Sequence, residues 1–209
     1  MLCSALLATW RHARTGILRW RRLWAILTGI AVGGTAGAML ALQVNGEWIR
    51  WLFVIYLLAT IIDCYLRAGF MTPPSSRVVP TAPHELTVGG VIGLIASFLG
   101  VGGSVMTVPL MRRRGVLMSE AAAMANVLTL PLAATATLTW LVMAWLSPVA
   151  LPAGFVGNIW LSAAAQLVAG SWLGLKIASR WLARLPDRWH VRIYPLLLIA
   201  VLLVMSVWG

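Results

Sequence analysis

Long apolar segments, each of about the length needed to cross a bilayer, make up most of this chain. A transmembrane helix needs about 20 consecutive apolar residues, and five segments meet that need: Leu23–Val44, Trp48–Leu66, Met118–Leu146, Phe155–Leu182 and Val191–Trp208. Only 10% of the 209 residues are charged, against about 25% in a soluble domain. We therefore predict an all-α polytopic membrane protein with about five full transmembrane helices.

A sixth apolar segment, Leu86–Met111, is interrupted by the sequence Gly100-Val101-Gly102-Gly103-Ser104. Glycine in a helix interior costs about 1 kcal/mol relative to alanine. Non-helical backbone at membrane depth is tolerated only inside protein or beside a cavity, and in transporters it often forms the substrate site. We expect a broken or re-entrant segment here, with Ser104 capping the second half-helix and Pro109 ending it.

The arginine clusters distinguish two topologies for this segment. Arg67 and Arg77 precede it, and Arg112, Arg113 and Arg114 follow it. Because basic loops mark the cytoplasmic side, both ends of the segment are expected inside. A re-entrant hairpin meets that condition, whereas a full crossing would leave one cluster misplaced.

Two hairpin-like regions share a pattern of two glycines and a later tyrosine: Gly33, Gly37 and Tyr56 in the first, Gly170, Gly174 and Tyr194 in the second. The basic cluster Arg11–Arg22 precedes the first hairpin, but Lys176–Arg192 lies between the helices of the second. The two hairpins would then have opposite orientations, as in the inverted repeats of transporters. Chance similarity is the alternative. The glycine pairs are expected to serve close helix packing.

This repeat divides the chain into three parts. Residues 1–66 are the remainder of a first repeat, the end of a helix plus a helical hairpin. Residues 67–85 form a cytoplasmic polar linker, and residues 86–209 form a complete second repeat with the glycine motif. The apolar segment Leu2–Trp10 looks like the end of a membrane helix whose start is missing, and a short amphipathic N-terminus is the alternative.

The candidate substrate-binding residues lie at the interruption and on the next span. Consecutive backbone N–H groups at Gly100, Gly102, Gly103 and Ser104, with the positive end of a half-helix dipole, suit an anion. Asn126 and Thr129 lie three residues apart, hence on one helix face. Glycine packing and interhelical hydrogen bonds are the structural alternatives. Asp63 is either an ion or proton site or an end residue that is solvated or paired with Arg67.

Other classes of function are disfavoured by the composition. Cys3 and Cys64 form no CxxC motif, and the histidines form no pair with ligand spacing, so we predict no metal and no cofactor. No span carries a paired catalytic constellation, which argues against an enzyme. The net charge of +11 lies between the apolar spans, which suits lipid head groups rather than nucleic acid.

The sequence Gly100–Ser104, with Pro109-Leu110, Gly115 and the run Ala121–Ala125, resembles the TauE/SafE family of sulfite exporter-like membrane proteins. That family has two halves, each with a GxGGG-type motif. Ser104 stands at the third motif glycine, and Met124-Ala125 replaces the family's frequent Thr-Ser or Thr-Ala pair. The motif expected in the first half does not occur in this chain.

The resemblance implies a secondary transporter of a small anion, such as sulfite, a sulfonate or a related organic anion. Alternating access between the inverted repeats, proton coupling and a multi-pass location in the cell inner membrane are further implications, and a homo-oligomer is left open. The alternative is a truncated, non-transporting membrane subunit or remnant that needs a partner.

Overall fold

The chain folds into seven helices and one short strand pair within the residues that the computed structural model describes, 5–6, 9, 20–67, 69–72, 74, 81–146, 154–156, 159–182 and 186–207. The helices are α1 Trp20–Ala41, α2 Gly46–Leu66, α3 Ala82–Phe98, α4 Ser104–Arg113, α5 Met118–Leu146, α6 Leu161–Leu182 and α7 Asp187–Val207. The strands are β1 Phe155–Val156 and β2 Ile159–Trp160, paired antiparallel. Of the predicted helix end at Leu2–Trp10, only residues 5–6 and 9 are described, and they are helical.

Four of the described helices are long and apolar enough to cross a membrane: α1, α2, α5 and α7. The helix α3 is apolar but has only 17 residues. The predicted start of α5 at Met118 is confirmed, and the helix reaches Leu146, the last residue described before Gly154. The predicted all-α membrane fold with an interrupted segment is therefore confirmed.

Helices α1 and α3 pack side by side and run parallel, with their backbones in close contact. A Cβ on Gly33 would overlap the backbone of Gly90, and a Cβ on Gly37 would overlap that of Leu94. A Cβ on Gly93 would in turn overlap the backbone of Ile30. Only glycine permits this approach, so the predicted packing role of Gly33 and Gly37 is matched by the geometry.

The helices of each predicted hairpin pack mainly against other elements. Helix α1 packs chiefly against α3 and α5, and α2 packs chiefly against α7. The helices α2 and α7 are antiparallel, because Asp63 near the end of α2 and Asp187 at the start of α7 both reach the end of α4. The two regions that carry the predicted repeat are thus joined through α2 and α7.

Three predicted details are wrong. The helix α3 begins at Ala82, inside the predicted linker, because Pro83 suits the first turn of a helix. The segment predicted as a helix from Phe155 begins with the strand pair, because its sequence contains Gly157-Asn158, a dipeptide typical of hairpin turns. Pro109 does not end the returning half-helix, which continues to Arg113.

The second glycine pair has no close neighbour among the described residues. A Cβ on Gly170 or Gly174 would meet no atom within 4 Å. These two glycines do not mediate helix packing within the described chain, unlike Gly33 and Gly37.

Candidate anion site at the interrupted helix

Helix α3 ends at the interruption in a hydrogen-bonded turn that needs glycine. Gly100 has φ +66, a left-handed conformation that other residues rarely adopt. The N–H of Gly100 donates to Ser97 O at 3.2 Å, and the N–H of Val101 donates to Ala96 O at 2.8 Å. This pair of bonds is the Schellman motif. Gly100 is exposed, and its role in this motif is to end the helix.

The second half-helix, α4, begins with backbone donors that have no acceptor. Gly103 occupies the N-cap position and provides no side chain, so the expected cap by Ser104 is wrong, because Ser104 is already the first helical residue. The N–H groups of Gly102, Gly103 and Ser104 have no hydrogen-bond acceptor among the described residues. Unpaired N–H groups at a helix N-terminus attract an anion.

The start of α4 lies well inside the span of α1. A Cβ on Gly103 would lie 3.4 Å from Leu132 of α5, and a Cβ on Gly34 of α1 would lie 3.2 Å from the same side chain. Gly34 is about 16 Å along α1 from Leu23 at 1.5 Å per residue, in a candidate span of 19 residues. The free amides therefore lie slightly beyond the middle of that span.

Of the two predicted α5 residues, Thr129 reaches the interruption. A Cβ on Gly103 would lie 3.6 Å from the Thr129 hydroxyl oxygen. That hydroxyl donates to Ala125 O at 2.8 Å, so Thr129 shapes the site and presents no free donor. Asn126 is partly exposed on the same helix, and its side chain makes no hydrogen bond to another described residue.

A hydrogen bond from α7 to α4 compensates for the missing backbone N–H of Pro109. Proline has no N–H, so Pro109 cannot bond the carbonyl of Val105 one turn earlier. The hydroxyl of Tyr194 in α7 donates to that carbonyl instead, at 2.9 Å. The glycine–tyrosine pattern had singled out Tyr194, and its role is to satisfy the backbone of α4.

Three consecutive arginines anchor the end of α4, and each pairs with an acid from a different helix. Arg112 pairs with Asp187 of α7 at 2.6 Å, and Arg114 pairs with Glu85 of α3 at 2.8 Å. Arg113 pairs with Asp63 of α2. Because Glu85 is near the start of α3 and Arg114 follows the end of α4, the two ends of the interrupted segment meet, as the re-entrant interpretation requires.

Arg112 is the most deeply buried of the three, although a basic cytoplasmic loop was expected here. Its relative exposure is 1%, and it also donates to Phe70 O at 3.0 Å and Val116 O at 3.3 Å. A buried charge needs both a partner and filled hydrogen bonds. Arg112 therefore has a structural role as well as any effect on topology.

Asp63 and Asp187 connect this cluster to the rest of the molecule. Asp63 lies between Arg113 and Arg67, with the latter at 3.8 Å, so its predicted pairing with Arg67 is confirmed. Asp187 also accepts from the Met118 N–H at 2.8 Å and thereby caps α5. Sequence reasoning missed Asp187. The available signal was that the chain has only five acids. Three adjacent arginines need acidic partners, so each acid was a candidate partner.

A cavity of about 390 Å³ lies between α2, α3 and α4. Its α4 wall includes Val105, Pro109 and Arg113, and the N-cap residue Gly103 contacts α5. Tyr56, Thr60 and Asp63 of α2 form the facing wall. Sequence reasoning did not identify this cavity, since its three walls are distant in sequence.

The family comparison agrees with this architecture. A family model described as sulfite exporter TauE/SafE matches residues 1–206. No curated protein and no solved structure matches the chain. With a match over nearly the whole chain and four helices able to cross a membrane, the chain belongs to the sulfite exporter TauE/SafE family, membrane transporters of sulfite-like anions.

Proposed function

We propose that this protein is a secondary transporter of a small anion such as sulfite or a sulfonate, a multi-pass protein of the cell inner membrane. The observation that carries the proposal is the start of α4, where three backbone N–H groups lack acceptors among the described residues, beyond the middle of the α1 span. An anion there would accept hydrogen bonds and oppose the positive helix end. The sequence places no lysine or arginine between Gly100 and Ser104, which suits weak, reversible binding.

The proposed binding residues are those at the α4 start and the α5 face opposite. Gly102, Gly103 and Ser104 supply N–H groups, Gly100 sets the turn, and Thr129 bounds the site beside Gly103. We include Asn126, whose side-chain amide is an additional donor three residues before Thr129. Alternating access would come from movement between the two inverted halves, with the α3–α4 hairpin at their junction and proton coupling as its energy source.

Anion flux in proteoliposomes tests the function. Purified protein should carry radiolabelled sulfite or methanesulfonate faster than protein-free vesicles. Gly102→Leu should lower the flux at least about tenfold, because a side chain beside the free amides obstructs the anion. Gly46→Leu is the matched control, since a Cβ there meets no atom within 4 Å.

Two results would overturn the proposal. One is wild-type flux equal to that of empty vesicles, and the other is unchanged flux in well-folded Gly102→Leu protein.

A second candidate function is a membrane subunit that acts only with a partner. The observation that favours it is the exposure of α6, where a Cβ on Gly170 or Gly174 would meet no described atom within 4 Å and Leu167 is 72% exposed. Such a subunit would be inactive alone in the flux assay and active after purification with its partner.

A further inference from the structure

The cavity between α2, α3 and α4 has two polar groups without partners. The Tyr56 hydroxyl and the Arg113 Nε are buried and have no hydrogen-bond partner among the described residues, and both residues line the cavity. Buried donors without acceptors are rare in native proteins and call for an explanation. A ligand with acceptor atoms would satisfy both.

The other polar groups of the wall are already satisfied. The Thr60 hydroxyl donates to Tyr56 O at 2.8 Å, and the Thr87 hydroxyl donates to His84 O at 3.0 Å. The free donors of the wall are thus confined to Tyr56 and Arg113. This contrast argues against a generally unsatisfied surface and favours a site with two defined polar contacts.

The charge around the Arg113 end of the cavity is unbalanced. Asp63 lies between Arg113 and Arg67, so one carboxylate faces two guanidinium groups and the cluster carries a net charge of +1. An acidic group at Arg113 would balance it. Arginine suits this role because it offers several donors in a planar arrangement.

The rest of the cavity is apolar and too large for a simple oxyanion. Val88, Val91 and Ile92 of α3 face Val105, Met106 and Leu110 of α4. The volume of about 390 Å³ is within the range of pockets for organic ligands, which begins at about 300 Å³. The wall chemistry therefore favours a ligand with an apolar body.

We propose that this cavity binds an organic anion, with its acidic group at Arg113, a second acceptor at the Tyr56 hydroxyl and its apolar body between α3 and α4. The polar end of this site, at Arg113, is distinct from the α4 start, because α4 runs from Ser104 to Arg113 and the two residues are about 14 Å apart along it at 1.5 Å per residue. That the ligand is also transported rests on the proposed function, whereas its binding in the cavity does not.

Titration calorimetry on the full chain in phosphatidylcholine nanodiscs tests the binding, with 3-hydroxypropane-1-sulfonate as the probe. Sulfite lacks the apolar body and propane-1,3-diol lacks the charge, so both should bind at least about tenfold more weakly. Tyr56→Phe should weaken the sulfonate about tenfold by removing one hydrogen bond to the ligand. Tyr65→Phe is the matched control, because Tyr65 is 52% exposed on the same helix.

A second variant removes the Arg113 guanidinium together with the carboxylate that pairs with it, while the exposed Arg67 keeps its charge. Asp63→Asn with Arg113→Gln removes both members of the ion pair and should weaken the sulfonate at least about tenfold, with little change for the diol. Tyr56→Phe with unchanged affinity would overturn the proposal. Equal binding of sulfonate and diol would also overturn it.

Two further measurements distinguish a lipid ligand from a free anion, and binding from transport. Loss of sulfonate binding on adding phosphatidylglycerol to the discs would assign the cavity to lipid head groups and contradict a free ligand. Sulfonate binding with the expected Tyr56 dependence, but without flux, would contradict the transport function and support this site. Wild-type flux without any sulfonate binding would contradict this site and support the transport function.

Discussion

At the scale of single residues, Arg112 shows how a charge can be buried in a membrane protein. Its side chain is 2% exposed and has three acceptors, on Asp187, Phe70 and Val116. Each acceptor comes from a different part of the chain. One side chain therefore joins the end of α4 to α7, to the segment after α2 and to the loop before α5.

Replacing Arg112 with alanine should destabilise the protein strongly. Removing one partner of a buried ion pair typically costs about 3–5 kcal/mol, and we expect the lower end because Asp187 is 32% exposed. The apparent melting temperature in detergent measures the effect. Arg67→Ala is the control, since Arg67 is 71% exposed and exposed ion pairs contribute about 0–1 kcal/mol. Equal shifts in the two variants would contradict a structural role for Arg112.

Residue identity alone predicted part of this arrangement. The position of Asp63 one turn before Arg67 indicated their pairing, because residues four apart share a helix face. The pairs of Arg112 and Arg113 could not be predicted, since Asp187 and Asp63 lie 75 and 50 residues away. Which acid meets which arginine depends on how the helices pack.

At the scale of elements, α4 is a short half-helix stabilised by its neighbours. It has 10 residues, about 15 Å, and Pro109 leaves the Val105 carbonyl without its helical donor. Tyr194 supplies that donor from α7.

A double-mutant cycle tests whether the Tyr194 hydroxyl replaces the missing N–H of residue 109 as the donor to the Val105 carbonyl. Tyr194→Phe should cost about 1–3 kcal/mol by leaving a backbone carbonyl unpaired. Adding Pro109→Ala restores an N–H one turn after Val105 and should recover most of that loss. Melting temperatures of the two single variants and the double variant report the coupling, with Tyr65→Phe as the control. Additive effects would show that the two residues act independently.

The contact of α1 with α3 depends on the absence of side chains. Gly33→Ala should separate the two helices and cost well above the roughly 1 kcal/mol average for a substitution, because the added Cβ would overlap backbone rather than a movable side chain. Gly170→Ala, with no atom within 4 Å, should be neutral. Yield of monodisperse protein and melting temperature are the readouts, and equal behaviour of both variants would refute the packing role.

Element prediction succeeded where the signal was local. The glycines at 100, 102 and 103 predicted the break between α3 and α4, and the long apolar run predicted α5 from Met118 to Leu146. It failed at Pro109, because the donor that lets the helix continue comes from Tyr194, far along the chain in α7. The helix that packs against Gly33 could not be predicted either, since the spacing of glycines indicates a packing face but not which helix packs against it.

At the scale of the whole molecule, the interrupted segment forms a hairpin whose two ends lie together. The pair between Arg114 and Glu85 joins the end of α4 to the start of α3. Helix α1 runs parallel to α3, so the turn at Asn45, which follows α1, lies at the opposite end of the molecule from the Arg114–Glu85 pair. The candidate anion site and the polar end of the cavity, at Arg113, lie at opposite ends of the same half-helix, α4.

Cysteine accessibility in oriented membrane vesicles tests this hairpin most directly. Both native cysteines are replaced, and single cysteines are placed at three exposed positions: Thr81 before α3, Leu117 after α4 and Asn45 between α1 and α2. An impermeant maleimide should label Thr81→Cys and Leu117→Cys from the same side, and Asn45→Cys from the other. Labelling of Thr81→Cys and Leu117→Cys from opposite sides would contradict the hairpin.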